Sequence, residues 1–265
     1  MPYKLAVTDA GKTREYEKYY DYQDNRTGGG HRLPRKQISP EAKRKLNDRQ
    51  AIKKLRRLMN ANFDNRSWYL TMDCIREQGE EYATPEEMKM MLSHFQRKCR
   101  TFWKKHSSEL RYVSVMAVGL RSARHFHIVL SACKGIEYTA MRESLQSIWD
   151  SVYMKPGKRR SYIHLENLYG DNYGDLAAYF VKQSNMTLEV LGRKIGKRWN
   201  SSRNLIKPVT KIKRITNREA FRLKVTAPAG WYIDSKYTEI GEGSEEYGGY
   251  GYMRYILIRS ENIRS

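Results

Sequence analysis

The chain has 265 residues, enough for one large domain or one domain with additions, and it carries 50 Lys and Arg against 29 Asp and Glu, a formal charge of +21. That balance points to a polyanionic partner, with nucleic acid first, and the lack of any long apolar run speaks against a membrane-held protein. Cys74, Cys99 and Cys133 are far apart with no C-x-x-C, which argues against a disulfide framework and a cysteine zinc site, and they read as small packing residues.

The opening residues, "MPYKLAVTDAGKTREYEKYY", hold no apolar signal core, so a cytoplasmic location is expected. Residues 1–38, with "DNRTGGGHRLPRKQISP" at their end, read as a loose basic arm. Ser39 as N-cap and Pro40 at the first helical position predict a basic helix over 39–61, its Leu46, Ile52, Leu55 and Leu58 near helical spacing. "SWYLTMDC" then reads as a strand, and the capping box Thr84-Pro85-Glu86-Glu87 starts a helix to about His106. "RYVSVMAVG" and "RHFHIVLSA", joined by "LRSA", predict an antiparallel hairpin. A helix over about 138–152, a strand in "SYIHLENL" and a helix in "GDLAAYFVKQ" follow.

The order strand, helix, strand, strand, helix, strand, helix over 62–195 predicts an α+β, ferredoxin-like (split β-α-β) antiparallel sheet with flanking helices. Residues 196–265 read as a basic segment, "LGRKIGKRWNSSRNLIKP" at its head, and a small β-rich extension with strands in "FRLKV", "GWYID" and "YMRYILI" around the loop "EIGEGSEEYGGYG".

Two clusters carry chemistry. His125 and His127, two apart on a strand, present their imidazoles on one face, while Phe126, Ile128 and Leu130 belong to the other; such a pair is half of a metal site. Tyr179 and Lys182, three apart on a helix, share a face. A tyrosine oxygen can attack a phosphodiester where a metal draws charge from the phosphate and a cation steadies it.

In this order, "WYLTMD", "HFHIVL" and "YFVK" resemble the three motifs of the HUH endonucleases, and among them the single-tyrosine rolling-circle replication initiators of plasmids, phages and integrated elements in Gram-positive bacteria. The likeness spans about residues 62–183. It implies a metal-dependent, site-specific nick in single-stranded or locally melted origin DNA. Tyr179 would attack and hold the 5′-phosphate, Lys182 would steady it, and His125 and His127 would bind a divalent ion, Mn or Mg. Rejoining would use the same phosphotyrosine bond. Host helicase and polymerase, and a transient homodimer, are the implied protein partners.

One departure matters. The family's usual glutamate on the strand before the histidine motif is missing from "VSVMAVGL", where Ala117 or Val118 stands near its place. Glu166 is the first replacement considered, with His164 and Asp73 behind it. The next tyrosine, Tyr173, precedes the helix, so one nucleophile is expected. From composition, Lys158, Arg159, Arg160, Arg193, Lys194, Lys197 and Arg198 are candidate phosphate contacts, and Trp68, Tyr162 and Trp199 candidates for stacking on unpaired bases. The rival readings are a relaxase or transposase of the same superfamily, and a non-catalytic basic single-strand-binding protein. The absence of G-x-x-x-x-G-K-[ST] leaves unwinding to another protein.

Overall fold

The computed structural model describes residues 3–21, 39–75, 81–119, 123–153, 160–193, 195–222, 224–241 and 252–260. In chain order the strands are β1 (Tyr3–Ala10), β2 (Thr13–Tyr20), β3 (Trp68–Cys74), β4 (Tyr112–Val118), β5 (Arg124–Leu130), β6 (Ile163–Asn167), β7 (Asn200–Ser201), β8 (Val209–Arg214), β9 (Trp231–Ile233), β10 (Glu239–Gly241) and β11 (Tyr252–Arg259). The helices are α1 (Pro40–Asn60), α2 (Pro85–Lys105), α3 (Tyr138–Tyr153), α4 (Gly174–Leu191) and α5 (Asn217–Ala220). The chain forms two compact units, residues 51–205 and residues 1–50 with 206–265.

The 51–205 unit is built on an antiparallel sheet in the order β6-β3-β5-β4-β7. Its first four strands reproduce the split β-α-β order, with the first and third strands central, and the α+β, ferredoxin-like expectation holds. Alternation along each strand sorts side chains between two cores. Trp68, Leu70, Met72, Phe126, Ile128 and Leu130 pack with Leu92, Phe95 and Trp103 of α2 and Leu145 and Trp149 of α3. On the other face Val113, Val115 and Val129 meet Leu55 and Met59 of α1 and Ala177 and Phe180 of α4. Both faces are thus covered by helices.

The helix starts follow the capping chemistry in the sequence. Thr84 and Glu87 form a reciprocal capping box at the head of α2, and the Ala42 amide donates to Ser39 Oγ at 3.2 Å before α1. The β4–β5 hairpin is in register from Tyr112↔Leu130 to Val118↔Arg124, and residues 120–122 at its turn lie outside the described residues.

The second unit corrects the reading of the N-terminus. Residues 3–20, expected to be a loose arm, form the hairpin β1–β2, turned at Gly11, whose positive φ of 70° suits the first position of a two-residue loop. β1 pairs with β8 and β2 with β11, which gives the order β10-β11-β2-β1-β8, with β9 also on β11. The remainder of the expected arm, residues 22–38, lies outside the described residues. The alternation that makes β2 a strand buries Thr13, Glu15 and Glu17, so no apolar period marks it, and its β11 partner lies more than two hundred residues away. "FRLKV" is not a strand: Phe221 ends the one-turn helix α5, and Arg222, Lys224 and Val225 are irregular. "GWYID" and "YMRYILI" do carry β9 and β11, "VTKIKR" supplies the unforeseen β8, and most of the Gly-rich acidic loop, residues 242–251, lies outside the described residues.

Candidate active site

The site lies on the α4 face of the central sheet. Because β3 and β5 pair as Thr71↔His127 and Asp73↔His125, and β4 and β5 as Val115↔His127 and Ala117↔His125, the two imidazoles stand on the central strand with neighbours on both sides. His127 is only 4% exposed. Its Nδ1 lies 2.8 Å from the Tyr69 hydroxyl and 3.2 Å from Thr71 Oγ1. Its Nε2 lies 3.0 Å from the Tyr179 hydroxyl. The Tyr69 and His127 rings are parallel at 7°, and His125 packs edge-on against His127 with centroids 4.8 Å apart.

Burial, with a smaller push from His125, lowers the His127 imidazole to about 4. His125 is also lowered, first by burial, against an opposing pull from Asp73. Both rings are therefore neutral near pH 7, the form that accepts a proton or ligates a metal. Burial raises the hydroxyls of Tyr69 and Tyr179, so both are protonated there. In neutral His127 one ring nitrogen donates and the other accepts, and the protonated Tyr179 hydroxyl can donate to Nε2 while Nδ1–H donates to the Tyr69 oxygen.

α4 aims the tyrosine. Ala177, Phe180 and Val181 bury one stripe of the helix, and Tyr179, beside that stripe, is 36% exposed. The helix entry is held from α1: Asn60 Oδ1 accepts from the Tyr173 amide at 2.9 Å and Asn60 Nδ2 donates to Asn172 Oδ1 at 2.9 Å. Gly192 ends the helix in the left-handed region. Lys182, three residues past Tyr179, is exposed on the same side. Gln183, a turn beyond, is buried, and its side-chain Oε1 has no hydrogen-bond partner. Tyr173 is 2% exposed, which leaves Tyr179 as the accessible tyrosine of this helix start.

Several sequence expectations are corrected here. Glu166 does not reach the histidines: it lies on β6, separated from β5 by β3, about 10 Å away by strand spacing, and it bonds His164 at 2.6 Å. Asp73 is the carboxylate in register with His125, and Ala117 rather than Val118 occupies the facing position on β4. Trp68 is not available for stacking, because strand phase turns it into the α2–α3 core, where it is 7% exposed. Tyr162 is 65% exposed with the Arg160 guanidinium 5.3 Å from its ring centre, and Arg160 also pairs with Asp150 at 2.7 Å. Arg193 and Lys197 are exposed and Arg198 and Trp199 half-buried, while Lys158, Arg159 and Lys194 lie outside the described residues.

Sequence reasoning missed Tyr69, Thr71 and Gln183. The signal was present, since Tyr69, Thr71 and Asp73 alternate with the buried Trp68, Leu70 and Met72 within the quoted strand.

Residues 67–184 match the model of the family Replication-associated protein ORF2/G2P. The segment that matches ORF2/G2P is a little under half of the chain, begins at β3, contains the paired histidines and ends just past Gln183. It is a rolling-circle initiator family, and the match supports a Rep-type replication protein. A search of curated proteins and a search of solved structures found no match. Among the described residues no helix is long and apolar enough to cross a membrane.

Two neutral imidazoles on one face fit half a coordination shell, and the Tyr69 hydroxyl at Nδ1 of His127 holds that ring's orientation. Among the described residues no group of three or more His, Cys, Asp or Glu is assembled, so oxygen donors from water or substrate would complete the shell.

Proposed function

We propose that the chain initiates rolling-circle replication by nicking single-stranded or locally melted origin DNA through Tyr179. The observation that carries this reading is the 3.0 Å approach of the exposed Tyr179 hydroxyl to Nε2 of a buried, neutral histidine within the segment that matches the replication family.

In this reading Tyr179 Oη passes its proton to a water molecule and attacks the scissile phosphorus. The bond from phosphorus to the 3′-oxygen breaks, that oxygen takes up a proton to become a 3′-hydroxyl, and the 5′-phosphate stays on the tyrosine as a diester. The energy of the broken ester is kept in the new one, so attack by a 3′-hydroxyl reverses the step and rejoins ends. A divalent ion, Mn or Mg, held by His125 and His127 would supply Lewis-acid charge on the phosphate oxygens. Tyr69 and Thr71 fix the His127 ring, and Lys182 offers a cation to the phosphate from the exposed side. Arg160 with Tyr162, and Arg193, Lys197 and Arg198 with Trp199, are the described candidates for holding the strand. A cytoplasmic location, host helicase and polymerase, and a transient second copy for termination belong to the same proposal.

The test is incubation of the full chain with Mn²⁺ or Mg²⁺ and labelled single-stranded DNA from its own replicon, followed by a denaturing gel and mass spectrometry. The expected product is a covalent adduct on Tyr179, lost with EDTA and in Tyr179→Phe. Salt-sensitive binding without any adduct would instead favour a non-catalytic single-strand-binding protein.

A further inference from the structure

α4 runs on for about three turns beyond Tyr179, and its later part walls a cavity of about 140 Å³ that the chemistry above does not use. Ser184, Asn185 and Leu188 of α4 form one side, Trp199 and Asn200 another, and Val115 and Met116 of β4 the apolar floor. Arg193, Lys197 and Arg198 stand at its margin. Gly196, also lining it, takes φ of 124°, a backbone conformation that side-chain-bearing residues rarely adopt, so the bend of this wall depends on glycine.

The volume is well below the several hundred Å³ of a drug-sized site and suits one small planar group. An indole and aliphatic side chains offer faces for stacking, and a hydroxyl and two carboxamides offer donors and acceptors that can meet the edge of a heterocycle. Lys197 and Arg198, with Arg193, which also pairs with Glu86 at 3.8 Å, suit a phosphate outside. Ser184 and Asn185 are five and six residues past Tyr179, about 8 Å along the helix axis and turned by about 140° and 120° around it, so the cavity opens on the other side of α4 from the tyrosine and a strand reaching it passes around the helix, a few nucleotides from a phosphate at the tyrosine. Most of the lining, from Asn185 to Asn200, lies beyond the family match, which ends at residue 184, while the floor and Ser184 lie within it.

We propose that this cavity is a base pocket: it takes one unpaired base of the substrate strand a few nucleotides from the scissile phosphate, with that nucleotide's phosphate at the Arg193–Lys197–Arg198 rim, and so contributes to choice of the nicking site. The proposal rests on the single-strand reading above but not on cleavage.

The test therefore uses the full chain carrying Tyr179→Phe, which needs no chemistry. The tightest-binding labelled single-stranded oligonucleotide from its own replicon is chosen by fluorescence anisotropy, and abasic sites are placed at each position in turn. One position is expected to cost about ten-fold or more in affinity. With Trp199→Ala added, that same abasic site should cost nothing further, whereas Trp199→Phe should restore most of the effect. Asn200→Ala, at an exposed position, serves as a second variant should Trp199→Ala fail to fold, and it should shrink the penalty at the same nucleotide. An equal abasic penalty with and without these changes, a uniform loss across all positions, or binding of a free deoxynucleoside monophosphate with no position effect in the strand would overturn the pocket. The adduct assay on the unaltered chain reports separately on nicking, and its failure would leave this binding readout intact.

Discussion

The hydroxyl of Tyr69 and the hydroxyl of Tyr179 meet opposite nitrogens of one imidazole, at 2.8 Å from Nδ1 and 3.0 Å from Nε2 of His127. Neutral histidine has one donor and one acceptor nitrogen, so what Tyr69 does at Nδ1 decides what Nε2 can do for Tyr179 or for a metal. Tyr69→Phe removes the hydroxyl and leaves the ring to pack. We expect Mn²⁺ affinity or nicking rate to fall about 10-fold or more, with the melting temperature moved little. Titration with Mn²⁺ alongside single-turnover nicking checks this, and unaltered values for both would remove Tyr69 from the site.

Tyr179→Phe should separate chemistry from folding. The side chain is partly exposed and its ring is retained, so stability should change by no more than about 0.5 kcal/mol. The protein–DNA adduct should vanish. Thermal unfolding and a denaturing gel measure the two effects on the same sample.

The histidine makes stability pH-dependent in a defined direction. An exposed imidazole in the unfolded chain titrates near about 6.5, whereas burial holds folded His127 at about 4. Between those values the unfolded state binds more protons, so the stabilisation is complete above the unfolded value and declines as pH falls toward the folded one. Urea unfolding of metal-free protein should show this decline between about pH 6.5 and 4, and His127→Gln should flatten it. An equally steep decline in His127→Gln would assign it to other groups.

The scaffold beneath the site is sensitive to loss of volume. Trp149 is fully buried and touches Phe95, Phe126 and Tyr153 at ring-centroid distances of 5.1–6.0 Å. Trp149→Ala should cost about 3–5 kcal/mol and lower the melting temperature correspondingly. Thr84→Ala, which breaks the α2 capping box, should cost about 1 kcal/mol. Denaturant unfolding of the two variants against the parent checks both magnitudes and their order.

Charge removal offers a further check on the side proposed to hold DNA. Replacing Lys197 and Arg198 by Gln should reduce the dependence of log affinity on log salt by about one to two units for single-stranded DNA. An unchanged slope would exclude these side chains from phosphate contact.

Residues 39–183 were legible in the sequence because their information is local. Caps at Ser39 and Thr84, period-two alternation in β3 and β5, and helical spacing in α3 act within a few residues, and they were enough for the ferredoxin-like frame and for the one-sided pairing of His125 with His127. Register across strands is not local. That Asp73 rather than Glu166 faces the histidines, that Ala117 opposes His125, and that Tyr69 reaches Nδ1 of His127 follow from which strands neighbour β5, which only the folded sheet decides. The same holds for the terminal hairpin: with Glu15 and Glu17 on its buried side, β2 shows no apolar period, and pairing with the distant β11 makes it a strand. Strand phase tells which side of a sheet a residue joins, but a functional site needs the neighbour on the next strand, and that neighbour is fixed by long-range packing.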